Sequence, residues 1–282
     1  MIRLFVRHRT AANLLMLFFI LVGAVAFTKL NTQFFPTFNI NWVTISVSWP
    51  GAAAEDIDSN IIISDSLKKI TPEIPIISEE DYEGQDKHDS FWIVDPLDGT
   101  RDYIDKGNNF CICISLIKES YPILGIIYSP IQDYFYYAYQ GYGAFLIKGS
   151  GKPIRIRTSK MSNERNNIYT SISINKRTLD QISIHVENAL FVKLASALKF
   201  GAIASGEGCF YPRLGPTHEW DTAAGQCLIE EAGGSVVDKN MERLKYNKNS
   251  KFLNDEFFVI ADTTFDWKSV IDNIIFARKL TS

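Results

Sequence analysis

The apolar run Phe91-Trp92-Ile93-Val94 passes directly into Asp95-Pro96-Leu97-Asp98-Gly99-Thr100. A run of this kind reads as a buried strand. Pro96 and Gly99 then predict a turn. Two carboxylates therefore stand together at the mouth of a strand, where the chain leaves the core. Acids so close repel each other unless a positive charge holds them. A hard divalent cation such as Mg²⁺ suits the pair, because it takes oxygen ligands and few of them from protein. Gly99 and Thr100 offer backbone N–H groups at the start of the next segment, which suits a phosphate. Taken alone, Asp-x-x-Asp-Gly is also an ordinary turn whose Asp side chains cap locally.

Two further segments favour the metal. Upstream, Ile76-Ile77 runs into Ser78-Glu79-Glu80-Asp81. Downstream, Trp220-Asp221 precedes the small residues Thr222-Ala223-Ala224-Gly225, and this helix closes at Glu230-Glu231-Ala232-Gly233-Gly234. Gly-Gly there is a helix C-cap signal. Three acid clusters, each at the end of an element, predict one converging metal site.

The 282 residues are 46% hydrophobic, enough for a sizeable core. The net charge of −3 and the lack of a long basic run after residue 10 leave no nucleic-acid footprint. Cys111, Cys113, Cys209 and Cys227 show no zinc spacing. Cys111 and Cys113 alternate along a predicted strand and share one face; they read as small buried hydrophobes in a reducing compartment. The four histidines are scattered and are assigned no metal.

The N-terminus reads differently. Arg3, Arg7, Arg9 and His8 precede an uncharged run from Ala11 to Phe27. Its length predicts a transmembrane helix over about 11–28. The flanking arginines place its N-terminus in the cytoplasm. A signal peptide cleaved at Ala24-Val25-Ala26 and a buried helix are the alternatives. Val43 to Trp49 alternates as a strand, which Pro50-Gly51 ends.

Beyond it, Asn60 to Ile70 reads as a helix with Ile61, Ile62, Leu67 and Ile70 as its apolar residues, broken by Pro72 and Pro75. Strands are predicted at Phe110–Ile117, Ile123–Tyr128, Tyr134–Tyr139 and Tyr142–Leu146. The stripe Tyr134, Tyr136, Tyr137, Tyr139 reads as sheet packing rather than a stacking surface. Ile168 to Ile174 opens a second half. Leu190–Ala204 and Thr222–Ala232 read as helix-bearing, and Cys209–Tyr211, Ser235–Asp238 and Phe257–Ala261 as strands. This pattern fits a layered α/β architecture.

Asp95 to Thr100 together with Trp220 to Gly234 resemble the two signatures of the inositol monophosphatase superfamily. Ser78-Glu79-Glu80-Asp81, Leu198-Lys199-Phe200 and Tyr211-Pro212-Arg213-Leu214-Gly215-Pro216-Thr217 bring the likeness to its 3'(2'),5'-bisphosphate nucleotidase branch. The resemblance runs from about Asp56 to the C-terminus, with subdomains about 56–165 and 166–282. Residues 1–55 instead resemble the start of a resistance-nodulation-division efflux transporter, its first membrane helix and first porter strand. They stand where the phosphatase family has an N-terminal helix pair. Asp56-Ile57 still matches that family's pattern at the junction, near Glu55 to Asn60. The later transporter helices and proton relay are not matched, so transport is not implied.

The phosphatase resemblance implies an α-β-α-β-α sandwich and hydrolysis of 3'-phosphoadenosine 5'-phosphate to AMP and phosphate. An inositol monophosphatase, a sugar bisphosphatase and an inactive membrane-tethered fusion are the alternatives. It implies two or three Mg²⁺ ions held by Glu79, Asp95, Asp98, Asp221 and the Leu97 carbonyl. Glu79 and Thr100 would orient and deprotonate the attacking water. Gly99 and Thr100 would hold the phosphate, and Lys199 and Arg213 a second phosphate. Ala195 and Ala197 stand near a helix start where the family often has Gly and Ser, so a glycine's backbone freedom is expected to be missing at Ala195 and the nucleotide pocket to be perturbed. The family's catalytic part is cytoplasmic, whereas the helix orientation points to the periplasmic side of an inner membrane.

Overall fold

Phe91, Ile93 and Val94 are at most 1% exposed, and they anchor in the core the strand that carries Asp95 and Asp98. The computed structural model describes residues 52–82, 88–248 and 251–279. The expected membrane span and the strand at 43–49 lie outside these residues. Among the described residues no helix is long and apolar enough to cross a membrane.

Helix α1 (Ala52–Ile70) leads into β1 (Ile76–Ser78), a single 3₁₀ turn (Glu79–Asp81) and β2 (Ser90–Asp98). Helix α2 (Thr100–Ile104) follows. The strands β3 (Cys111–Lys118), β4 (Tyr121–Ser129), β5 (Tyr134–Tyr139), β6 (Gly143–Lys148) and β7 (Ile154–Ile156) complete a seven-stranded sheet in sequential order. Only the β1–β2 pair is parallel; the rest is an antiparallel meander.

The second half comprises β8 (Asn166–Thr170), α3 (Lys176–His185), β9 (Ala189–Lys193), α4 (Leu198–Ala204), β10 (Phe210–Arg213) and β11 (Thr217–His218). Then come α5 (Ala223–Ala232), β12 (Ser235–Asp238), β13 (Leu253–Asn254), β14 (Phe257–Ile260) and α6 (Trp267–Lys279). Its five-stranded sheet runs β12-β14-β10-β8-β9 and mixes parallel with antiparallel pairs.

Helix α1 rests on β1 and β2. Helices α4 and α5 pack against each other, and α5 lies across β3 to β6. The approach is close because β4 has glycine there: a Cβ on Gly125 would lie 2.4 Å from the Ala224 carbonyl oxygen. Helices α3 and α6 pack together, and Trp267 of α6 stacks on Phe210 of β10 at 4.3 Å. The aromatic stripe of β5 is sheet packing, as expected: Tyr136 is buried and Tyr137 stacks on Phe145 across the β5–β6 pair.

Two sequence readings are corrected. Pro96 does not turn the chain out of the sheet. It sits in a bulge between Asp95 and Asp98, and β2 carries through to Asp98; a bulge is where a strand tolerates proline. The buried face of α1 is Asn60, Ile63, Ser64 and Leu67, whereas Ile61, Ile62 and Ile70 are exposed. The segment Leu190–Ala204, read as helix-bearing, carries its helix at Leu198–Ala204, while its first residues complete strand β9 (Ala189–Lys193). Helices α3 and α6 had no counterpart in the reading.

Candidate active site

The bulge in β2 sets the site's geometry. It leaves Asp95 paired across the ladder with Cys113 and Asp98 with Cys111. Asp95 is 1% exposed, and its Oδ1 accepts the Leu97 N–H at 3.0 Å. Gly99 then caps α2 at φ 94°, a left-handed conformation that favours glycine. A Cβ there would also lie 2.9 Å from the Asn109 carbonyl oxygen. Thr100 Oγ1 donates to the Leu97 carbonyl at 3.0 Å, which closes the Asp95–Thr100 loop on itself.

Two other elements bring acids to this loop. Glu79 opens the 3₁₀ turn directly after β1, the parallel neighbour of β2. Asp221 stands just ahead of α5 and accepts the His218 N–H at 3.0 Å. Carboxylate oxygens of Glu79, Asp95 and Asp221 all lie within 4.8 Å of one another. Three chain segments therefore converge, as the three acid clusters predicted.

The electrostatics are those of a buried acid cluster that Lys199 and Arg213 only partly offset. The Asp95 carboxyl is held well above the usual carboxylate range, first by burial and then by Asp98, Asp221 and Glu79. Burial also raises Asp221, with Asp98 and Glu79 adding to it. Asp98 is raised by burial too, against the opposing pull of Lys199. A buried carboxylate group with this much mutual repulsion fits a divalent cation, whose charge would offset it. The all-oxygen donor set fits a hard ion.

Lys199 is placed differently from a simple phosphate contact. It is 4% exposed, and its Nζ donates to the carbonyls of Leu194 at 3.0 Å and Ser196 at 2.6 Å. Burial pulls its pKa down to about 8. The loop it fastens supplies the Ala197 N–H, which donates to Asp98 Oδ2. Left-handed backbone is needed in this loop at Ser196, φ 55°, and not at Ala195. The expectation about Ala195 is corrected accordingly.

Arg213 ends β10. Its Nη2 donates to the Pro216 carbonyl at 3.2 Å, while its Nε is buried with no hydrogen-bond partner. It lowers the pKa of both Asp98 and Asp221, so its charge reaches the acid cluster. Arg213 also lines a cavity of about 250 Å³ with Ser171, Asn175, Thr178, Gly215 and Arg278.

Sequence reasoning missed Glu219 and the loop before α4. Glu219 is fully buried beside Asp221 and accepts the backbone N–H groups of Asn247 and Lys248. Burial raises its pKa to about 7. Its position between His218 and Trp220, which stack at 4.4 Å, carried no sequence signal beyond adjacency to Asp221.

Residues 51–264 match the family model for the inositol monophosphatase family, and residues 1–70 that for the AcrB/AcrD/AcrF family. The 3'(2'),5'-bisphosphate nucleotidase CysQ of Escherichia coli K12 is 35% identical over 212 residues, 73% of this chain and 83% of that protein. The CysQ of Buchnera aphidicola is 36% identical over 227 residues, 78% of this chain and 84% of its own. Among solved structures, CysQ from Bacteroides thetaiotaomicron superposes with a TM-score of 0.63 at 29% identity, covering 73% of this chain and 83% of that one. An IMPase from Thermotoga maritima gives 0.65 at 25% identity, covering 81% and 84%.

Proposed function

The chain belongs to the inositol monophosphatase family, and on that premise we propose that it is a divalent-metal-dependent phosphomonoesterase acting on 3'(2'),5'-bisphosphate nucleotides, with 3'-phosphoadenosine 5'-phosphate giving AMP and phosphate. The observation that carries this reading is the convergence of Glu79, Asp95 and Asp221 within 4.8 Å. The packing of α1, the first sheet, α4 with α5, the second sheet, and α3 with α6 supports the five-layer sandwich of that family.

Glu79, Asp95, Asp98, Asp221 and the Leu97 carbonyl are the proposed ligands of two or three Mg²⁺ ions. When bound, the ions supply an activated water and neutralise charge on the leaving oxygen. The remaining work belongs to side chains and backbone. Glu79, exposed at the rim, accepts a proton from the attacking water. Thr100, its hydroxyl fixed on Leu97, orients that water. The backbone N–H groups of Gly99 and Thr100 hold the phosphate being cleaved.

Arg213 reads the second phosphate. Its unpartnered Nε is the kind of group an anion satisfies. Lys199 acts on the substrate through charge, because its Nζ is already committed to two carbonyls. The cavity beside Arg213 takes the nucleoside.

The test is phosphate release from 3'-phosphoadenosine 5'-phosphate and from inositol 1-phosphate, with and without Mg²⁺. Preference for the nucleotide supports the proposal. Preference for the inositol ester moves the chain to the monophosphatase branch, and no release from a folded sample supports the inactive fusion. The membrane assignment is proposed from residues 11–28 and is tested by fractionation of the full chain.

A further inference from the structure

The proposed hydrolytic site leaves two thiols unused beside it. Cys111 and Cys113 are free and at most 1% exposed. Their Sγ atoms are 3.9 Å apart. Cys111 Sγ lies 3.6 Å from Asp98 Oδ2. All three donor atoms lie within 4.8 Å of one another. The register explains the grouping: Asp98 pairs with Cys111 across the ladder, and Cys113 is the next residue on the same face of β3.

These spacings carry chemical information. Tetrahedral Zn²⁺ with bonds of about 2.3 Å to sulfur and about 2.0 Å to oxygen has S···S edges of about 3.8 Å and S···O edges of about 3.5 Å. The two shorter separations match those edges closely. A disulfide fits less well. Residues i and i+2 on one strand have Cα atoms about 6.7 Å apart, the far end of the range a disulfide bridges. The sheet ladder on both sides of β3 holds them there.

We propose that Cys111, Cys113 and Asp98 form a site for a thiophilic divalent cation of the Zn²⁺ and Cd²⁺ class, separate from the carboxylate cluster but sharing Asp98 with it. Soft thiolates select against Mg²⁺ and the all-oxygen cluster selects for it, so the two sites sort cations by hardness. Binding releases the two thiol protons to solvent and leaves the fourth position to water. Occupancy withdraws Asp98 from the hydrolytic site and inhibits it. The inhibitory part rests on the role proposed for Asp98 above; the binding part does not.

The experiment is a Cd²⁺ titration of the full chain in detergent, followed by the cadmium–thiolate ultraviolet band and by proton release. Saturation at one Cd²⁺ per chain with two protons released is expected. The band should be lost in Cys113→Ala and retained in Cys209→Ala. Absence of the band at one equivalent, or its persistence in Cys113→Ala, overturns the site. Should Cys113→Ala not fold, the ¹¹³Cd resonance of the unsubstituted chain decides: a shift typical of two sulfur ligands supports the site, and an all-oxygen shift overturns it. In parallel, Mg²⁺-dependent phosphate release by Cys113→Ala should need at least tenfold more Cd²⁺ for half inhibition. A normal Cd²⁺ band in a chain that never hydrolyses phosphate would refute the hydrolytic reading and leave the thiolate site standing.

Discussion

The backbone N–H of Ala197 donates to Oδ2 of Asp98, joining residues 99 positions apart. One end belongs to the bulged strand of the first sheet, and the other to the loop that Lys199 fastens ahead of α4. The acid loop is thus held from outside its own segment.

Asp95→Asn keeps the acceptor for the Leu97 N–H and removes one buried negative charge. Phosphate release should fall by three orders of magnitude or more, on the order of 4 kcal/mol in the barrier. In EDTA the variant should melt at a higher temperature than the parent, because repulsion from Asp98, Asp221 and Glu79 is relieved. Melting curves with EDTA and with Mg²⁺ check both halves; an unchanged metal-induced rise in Tm would refute the ligand assignment.

Gly99→Ala forces a Cβ onto a backbone oxygen at 2.9 Å and strains a φ of 94°. The cost should be about 1–3 kcal/mol of stability. Because Thr100 and the Asp98 carboxylate flank this residue, activity should drop at least tenfold even in the folded fraction. Urea unfolding and kcat on the same sample separate the two effects.

Arg213→Gln should raise KM for the bisphosphate nucleotide by roughly 10- to 100-fold, the loss of a charge-assisted contact of about 1.5–3 kcal/mol. An ester with one phosphate should be affected far less. Equal losses on both substrates would show that Arg213 reads no second phosphate.

Glu219 predicts a pH dependence. Its folded pKa of about 7 lies above its ordinary 4.5. Between those values the folded chain binds more protons than the unfolded one, so stability falls as pH rises through that window. The contribution is roughly 3 kcal/mol. Asp95 and Asp221 push the same way in metal-free protein. Denaturation midpoints in EDTA across pH 4 to 8 should show the decline, and Glu219→Gln should flatten part of it.

The acids of the site were legible as residues because Glu79 and Asp95 end apolar runs and Asp221 precedes a small-residue helix start. Their convergence was not, since Glu79, Asp95 and Asp221 are brought together only by the β1–β2 pairing and the seat of α5. Strands β5 and β12 and helix α5 were legible at or within a residue of their ends, where alternation or small-residue helix signals are strong. Helix α6 was not read, although Trp267, Val270, Ile271 and Ile274 keep the i, i+3, i+4, i+7 spacing of a buried helix face. Proline at 96 misled because its usual meaning, a turn, differs from its meaning at a bulge. Lys199 was read as a phosphate contact and is a buried fastening on two carbonyls, which residue type and position alone do not show.

Gly125 has a further consequence. Helix α5, which follows Asp221, is seated on β4 so closely that the Ala224 backbone and the Cys227 Cβ fill the space a side chain at residue 125 would need. The offset between helix and sheet is therefore set by close backbone contact and by a Cβ, the one side-chain atom that no χ torsion moves. Thermal excursions of neighbouring rotamers do not enter that distance, and exchanges among the surrounding apolar residues alter volume without moving the helix start. Asp221 inherits this datum for its backbone, so the main-chain position from which its carboxylate reaches the other two acids is set by the seat of the helix.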